Sequence, residues 1–118
     1  MTLKNKKLMI VAIAAFLAIV LAVMTIVLFI PTKKKIVGTW EGKWKYDGNS
    51  FMETLILREN DTWSSVTYKN GELYKMEFGE YSIDGLKVHL TRIDVPIHTF
   101  YNYLFGKLHN GRTWLSKS

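Results

Sequence analysis

The 118-residue chain contains no cysteine, which excludes disulfides, thiolate nucleophiles and cysteine metal ligands but selects no cellular compartment. It also lacks the G-x-S-x-G, Walker and G-x-G-x-x-G motifs of the common enzyme classes. Two carboxylate pairs, Glu77 with Glu80 and Glu53 with Glu59, could serve acid–base chemistry, but charged residues on half-solvated strands are the more common explanation. We therefore predict a protein that is not an enzyme and that needs no cofactor.

The sequence has few histidines, and their spacing argues against a metal site. His89, His98 and His109 are scattered over strand and loop positions, without the H-x-H or H-E-x-x-H spacing that presents two ligands together. We predict no metal site, and we place His89 on the solvent-facing side of a strand.

The net charge of +6 is concentrated outside the C-terminal part of the chain. From residue 36 onward, ten basic residues oppose ten acidic ones, so this region is neutral and lacks the basic field that general nucleic-acid binding requires. The excess lies in lysines that flank a long apolar segment and suit contact with lipid phosphates: Lys4, Lys6 and Lys7 in a basic flank over residues 1–7, and Lys33, Lys34 and Lys35 in a linker over residues 31–35.

The apolar segment covers residues 8–30, and Thr25 is its one polar side chain. At about 1.5 Å per residue, this length crosses the roughly 30 Å hydrocarbon core of a bilayer. A cleaved signal peptide is the alternative, but its apolar region runs about 7–15 residues and precedes a small-x-small site that is missing here. We predict an uncleaved transmembrane helix. The lysine counts on its two sides nearly tie, so charge does not determine its orientation.

Residues 36–118 have the pattern of a small all-β domain. Stretches rich in β-branched and aromatic residues alternate with turn sequences such as Asn70-Gly71 and Asp84-Gly85. Pro96 marks a loop or a sheet edge. We predict an antiparallel meander closed into a barrel, with strands at residues 38–46, 51–58, 62–69, 73–78, 80–83, 86–93, 99–105 and 112–116.

Two sequence motifs in this domain resemble the lipocalins and the shorter lipocalin-like domains of bacterial surface proteins. Gly38-Thr39-Trp40 is similar to the G-x-W motif that begins those barrels, and residues 79–90 resemble a G-x-Y-x-I-x-G-x-x-[IV]-x-L hairpin. The resemblance implies that Trp40 packs under an arginine near the last strand, a position that Arg112 matches. Lipocalins are considerably longer than this domain, and a short barrel is expected to be filled by its own side chains.

A fainter resemblance concerns the transmembrane β-barrel effectors of CBASS antiphage systems. Those proteins also join membrane helices to a small barrel, and their Gly/Trp-rich first strand is similar to residues 38–44 here. They have two membrane helices where this chain has one. The resemblance implies a membrane sensor for a small anionic ligand such as a cyclic oligonucleotide.

Several aromatic and basic residues are candidates for ligand binding. The indole rings could stack on a base or a sugar, although a place in the core is the favoured explanation. The candidate residues are Trp40, Trp44, Trp63, Arg92 and Arg112.

These observations favour a membrane-anchored, non-enzymatic binding module on the outer face of a bacterial plasma membrane, its outward placement resting on the lipocalin resemblance. The first alternative is the cytoplasm-facing sensor. The second is an accessory subunit of a membrane complex, with a small-residue packing face formed by Ala15, Ala18 and Ala22. The lipid bilayer is the expected partner, beside a small ligand or a protein.

Overall fold

The computed structural model describes residues 3–95 and 97–118, with side chains for all of these except residues 3 and 27–29. The loop predicted at Pro96 lies outside these residues. Two helices precede eight strands: α1 (Leu3–Phe29), α2 (Lys33–Ile36), β1 (Gly38–Tyr46), β2 (Asn49–Leu57), β3 (Thr62–Lys69), β4 (Glu72–Asp84), β5 (Lys87–Arg92), β6 (His98–Leu104), β7 (Lys107–His109) and β8 (Trp114–Lys117).

Helix α1 projects from the barrel and makes no core with it. Its segment Lys4–Ile26 is the one helix among the described residues that is long and apolar enough to cross a membrane, and none of it is buried. The hydroxyl of Thr25 donates to the Leu21 carbonyl one turn earlier, over 2.8 Å, so the polar group of the segment is satisfied within the helix.

The eight strands form one closed antiparallel barrel in which each strand pairs with the next and β8 pairs with β1. The predicted all-β barrel is therefore confirmed. Two of its hairpin turns have the backbone conformation of type I′ turns: Asp47-Gly48 and Asn70-Gly71 have positive φ at both residues.

Strand β4 differs from the prediction, which placed two strands at residues 73–78 and 80–83. The structure has one strand of 13 residues that runs through Gly79. A Cβ at this position would collide with the backbone carbonyl of Thr91 on β5. Gly79 therefore permits a close approach of two strands, and it does not end one.

Strand β7 was not predicted, because the turn that precedes it has an unusual sequence. Phe105 and Gly106 connect β6 to β7 with φ values of 49° and 76°. A bulky aromatic residue rarely adopts a positive φ, so the sequence of this dipeptide does not predict a turn.

The linker predicted over residues 31–35 contains α2, which closes one end of the barrel. Thr32 caps this helix through its side chain, and Pro31 and Ile36 are buried. The indole N–H of Trp40, itself 1% exposed, donates to the Ile36 carbonyl over 2.8 Å. Lys33 forms an ion pair of 2.7 Å with Asp61 in the β2–β3 turn.

The antiparallel meander gives the barrel two distinct ends. At the closed end lie α2, the β4–β5 turn, the β6–β7 turn and the end of β8, where the Lys117 ammonium donates to the Lys35 carbonyl. At the open end lie the β1–β2 and β3–β4 turns and the loop before β8. The buried apolar residues form one cluster that extends from the closed end to the middle of the barrel: Ile36, Trp40, Leu55, Leu57, Trp63, Tyr81, Val88, Leu90, Tyr101, Tyr103, Leu108 and Leu115.

Candidate functional site

The open half of the barrel contains a cavity of about 360 Å³. Its volume lies at the lower end of the range of small-molecule sites, about 300–1,000 Å³. The expectation that side chains fill the short barrel therefore holds only for its closed half. The walls are formed by Trp44, Tyr46, Phe51, Glu53, Trp63, Ser65, Thr67, Tyr74, Lys75, Glu77, Leu90, Thr99, Tyr101, Asn110 and Arg112.

A buried carboxylate forms the polar part of the cavity wall. Glu53 lies on β2 and is 5% exposed. Its carboxylate accepts hydrogen bonds from the Ser65 hydroxyl at 2.7 Å, the Tyr101 hydroxyl at 2.9 and 3.1 Å, and the Asn110 side-chain amide at 3.1 Å. These donors come from β3, β6 and the loop before β8. Glu53 thus connects three separate parts of the barrel wall.

The three groups that donate to Glu53 are all uncharged. A carboxylate offers about four lone-pair positions, so three donors do not exhaust it. Among the described residues, the ion pairs involve other carboxylates, those of Asp61, Glu77 and Asp94. Removing a carboxylate from water without a cationic partner is costly, even when neutral donors solvate it.

Tyr101 is held in its neutral, donating form. Burial, followed by the negative charge of Glu53, raises the pKa of the Tyr101 phenol above its ordinary value. The hydroxyl therefore keeps its proton over the whole neutral range and remains a donor to Glu53.

Next to Glu53, the cavity contains a polar atom that has no hydrogen-bond partner. Thr67 is the residue opposite Glu53 in the β2–β3 pair, and it is 1% exposed. Within the described part of the chain, its hydroxyl is the buried side-chain atom left without a partner. Buried hydroxyls are normally bonded, so an unpartnered hydroxyl beside the cavity is unusual.

Aromatic rings surround the mouth of the cavity. Trp44 and Phe51 stack with centroids 5.4 Å apart, and Tyr74 meets the edge of Phe51 at 5.7 Å. The rings already attract cations from the chain itself: the Lys69 ammonium lies 5.5 Å from the Tyr74 centroid, and the Arg112 guanidinium lies 5.4 Å from that of Tyr46.

A second carboxylate in the wall is neutralised within the protein. Glu77 on β4 lies 3.0 Å from the Lys75 ammonium and 3.7 Å from Nε of Arg92. Arg92 also binds Asp94 at 2.9 Å. Glu53 and Glu77 therefore differ in their charge balance, because Glu77 has cationic partners and the donors to Glu53 are uncharged.

The structure brings together three of the five predicted ligand-binding residues. Trp44, Trp63 and Arg112 line the cavity. Trp40 lies at the closed end of the barrel, and Arg92 is outside the cavity wall. The expected packing of Trp40 under Arg112 is wrong, since Arg112 lies over Tyr46 at the open end. Lys117 is the basic residue directly opposite Trp40, on β8.

Sequence reasoning assigned no ligand-binding role to the polar residues of the cavity. Glu53 was interpreted as a half-solvated strand residue, but it is buried. A signal was present in the alternation of β2, where Phe51, Leu55 and Leu57 share one inward face and Glu53 falls on that face too. Tyr101 and Asn110 approach Glu53 only because the barrel closes, and no local pattern shows this.

The histidines differ in part from the prediction. His89 and His98 lie side by side on the outer face of β5 and β6, with Nε2 and Nδ1 2.8 Å apart, and the His89 ring stacks on Phe100. The pairing of two strands joins residues that their spacing in sequence keeps apart. No group of three or more His, Cys, Asp or Glu residues suited to a metal ion occurs in the described ranges.

Comparisons of the chain with protein-family models, with curated proteins and with solved structures found no match.

Proposed function

We propose that the chain is a membrane-anchored binding module whose barrel takes up a small ligand through a mouth that faces away from the bilayer, and that it is not an enzyme. The observation that carries the proposal is the cavity, where a buried carboxylate, an unpartnered hydroxyl and a cluster of aromatic rings converge. Convergent polar groups in an otherwise aromatic pocket are the usual composition of ligand sites.

The anchor is supported by α1, and the direction of the mouth follows from how α1 joins the barrel. The chain leaves α1, enters α2 and begins β1 at the closed end. The open end therefore lies at the far side of the barrel from the helix. A ligand would enter this site from the aqueous phase.

The surface of the closed end supports its contact with lipid. Leu86 in the β4–β5 turn is 52% exposed, and Leu104 beside the β6–β7 turn is 39% exposed. Lys87 and Lys107 follow these turns and are exposed, where they suit lipid phosphates. Asp84 in the same region limits such contact to the headgroup layer. On the lipocalin resemblance, we propose the outer face of a bacterial membrane for the barrel.

Single-cysteine variants test the membrane part of the proposal, because the chain has no cysteine of its own. Ser50→Cys lies in the exposed β1–β2 region at the mouth. We expect a membrane-impermeant maleimide to label it in intact cells. Labelling only after lysis would place the barrel in the cytoplasm, and recovery of the chain in the soluble fraction would refute the anchor.

Neighbouring residues on β4 test the binding part. Tyr74 lines the cavity and Leu73 does not, although both are more than half exposed. We expect fragment screening by ligand-observed NMR, on the full chain in nanodiscs, to find binders. A bulky maleimide on Tyr74→Cys should displace them, whereas the same label on Leu73→Cys should not. Equal effects of the two labels would refute binding in the cavity.

The sensor for a cyclic oligonucleotide is less well supported. Such a ligand is large for a cavity of about 360 Å³ and would bring its phosphates towards Glu53. The basic residues at the mouth, Lys69 and Arg112, favour at most an anionic group held at the rim. The accessory-subunit alternative needs a partner helix packed against α1, and the described residues include no such contact.

A further inference from the structure

We propose that the cavity binds a small organic cation, with its ammonium group at Glu53 and its apolar part between the aromatic rings of the mouth. This inference rests on the proposed binding function and names the chemical class of its ligand. It uses the carboxylate as the recognising group, and the rings as the walls that receive the rest of the molecule.

The first argument is the unbalanced charge of Glu53. The carboxylate is buried, its donors from Ser65, Tyr101 and Asn110 are uncharged, and no cation of the described chain is paired with it. Glu77, in the same wall, has both Lys75 and Arg92. A bound ammonium would give Glu53 the partner that Glu77 already has, and the attraction would be weakly screened because Glu53 is only 5% exposed.

The second argument is hydrogen bonding. An ammonium group brings N–H donors, and two acceptors lie on neighbouring strands: the Glu53 carboxylate, which accepts hydrogen bonds from three donors, and the Thr67 hydroxyl oxygen, which is buried and has no partner. These two residues are opposite each other on β2 and β3, so we expect one nitrogen to bridge them after a rotation of the Thr67 side chain. A neutral or anionic group would leave the carboxylate without compensation.

The third argument is the composition of the mouth. Trp44, Phe51 and Tyr74 present ring faces and edges around the path to Glu53. Ring faces attract cations, and cations of the chain already lie over them: Lys69 over Phe51 and Tyr74, and Arg112 over Tyr46. Three basic side chains would oppose a cation here: Lys75, which is paired with Glu77, Lys69, whose ammonium lies over the Phe51 and Tyr74 rings, and Arg112, which is exposed and screened by solvent.

The test compares two probes of similar shape and size, benzylammonium and benzyl alcohol, on the full chain in nanodiscs of zwitterionic lipid at pH 7. We expect benzylammonium to bind at least tenfold more tightly, followed by NMR through the methyl signals of Thr67 and Leu90 in the cavity wall. Glu53→Gln keeps the shape of the side chain and should abolish this preference. Glu41→Gln makes the same change on the exposed outer face of β1 and should preserve it.

Each outcome decides a separate question. Equal affinity for the two probes, or a preference that survives in Glu53→Gln, overturns the cation assignment while leaving the binding function intact. Failure of benzylammonium to bind at all also overturns it. The fragment screen with labels on residues 73 and 74 then decides the binding function on its own. If Glu53→Gln does not fold, the two probes on the unsubstituted chain still test the preference for a cation, because equal affinities would overturn it.

Discussion

Replacing Trp40 by alanine tests the closed end of the barrel. The indole is 1% exposed, and its N–H donates to the Ile36 carbonyl over 2.8 Å. Emptying a core aromatic site costs about 3–5 kcal/mol of unfolding free energy. Domains are typically stable by only about 5–15 kcal/mol, so Trp40→Ala should remove much of the total.

Trp40→Phe separates packing from hydrogen bonding. It keeps most of the ring in place but leaves the Ile36 carbonyl without its donor, which should cost about 1–3 kcal/mol. The matched control is Trp114→Ala, because Trp114 is 43% exposed, with its ring against His109. This change should cost less than about 1 kcal/mol, near the range of surface substitutions.

Urea denaturation of residues 31–118, followed by near-ultraviolet circular dichroism, measures these differences. The expected order of stability is unsubstituted, then Trp114→Ala, then Trp40→Phe, then Trp40→Ala. A loss below about 1 kcal/mol for Trp40→Ala would contradict a core role for this ring. Equal losses at Trp40 and Trp114 would show that burial does not determine the cost.

Three further predictions concern the tether, the charge and the pH dependence. Residues 31–118 should fold alone to a β-type monomer more stable than residues 36–118, which lack most of α2; equal urea midpoints would contradict this. Residues 36–118 should not bind duplex DNA at physiological salt, while the longer fragment should bind anionic vesicles through Lys33–Lys35 in a salt-sensitive way, by about 1 kcal/mol per lysine. Because the folded pKa of Tyr101 is raised, its stabilisation is complete below the unfolded pKa of about 10 and is lost as pH rises above it; thermal melts should show that Tyr101→Phe weakens this alkaline loss.

Local sequence patterns predicted those parts of the barrel that depend only on neighbouring residues, namely the individual strands and turns. Strands β1 and β3 match the predicted ranges, because their inward and outward residues alternate and Asn70-Gly71 ends β3 in a positive-φ turn. Two other glycines misled the prediction in opposite directions. Gly79 was interpreted as a break and is a point of close strand contact, and Gly106 was missed because Phe105 precedes it.

The candidate site was predicted less well, since it depends on residues that are far apart in the chain. Trp44 and Trp63 were identified from their type alone. The hydrogen bond from Tyr101 to Glu53 joins residues 48 positions apart, and that from Asn110 joins residues 57 apart. Only the closure of β8 onto β1 determines which of these side chains meet.

The way α2 enters the closed end has a mechanical consequence. A pull between a molecule held at the mouth and the anchor in the bilayer would run roughly along the strands. Strand β1, the first to carry this load, is joined to β2 by nine residue pairs, from Gly38 opposite Leu57 to Tyr46 opposite Asn49. When the two strands are pulled along their length, their inter-strand hydrogen bonds are loaded together in shear, instead of breaking one at a time. The tether is thus attached to a strand whose nine pairs with β2 are loaded in shear.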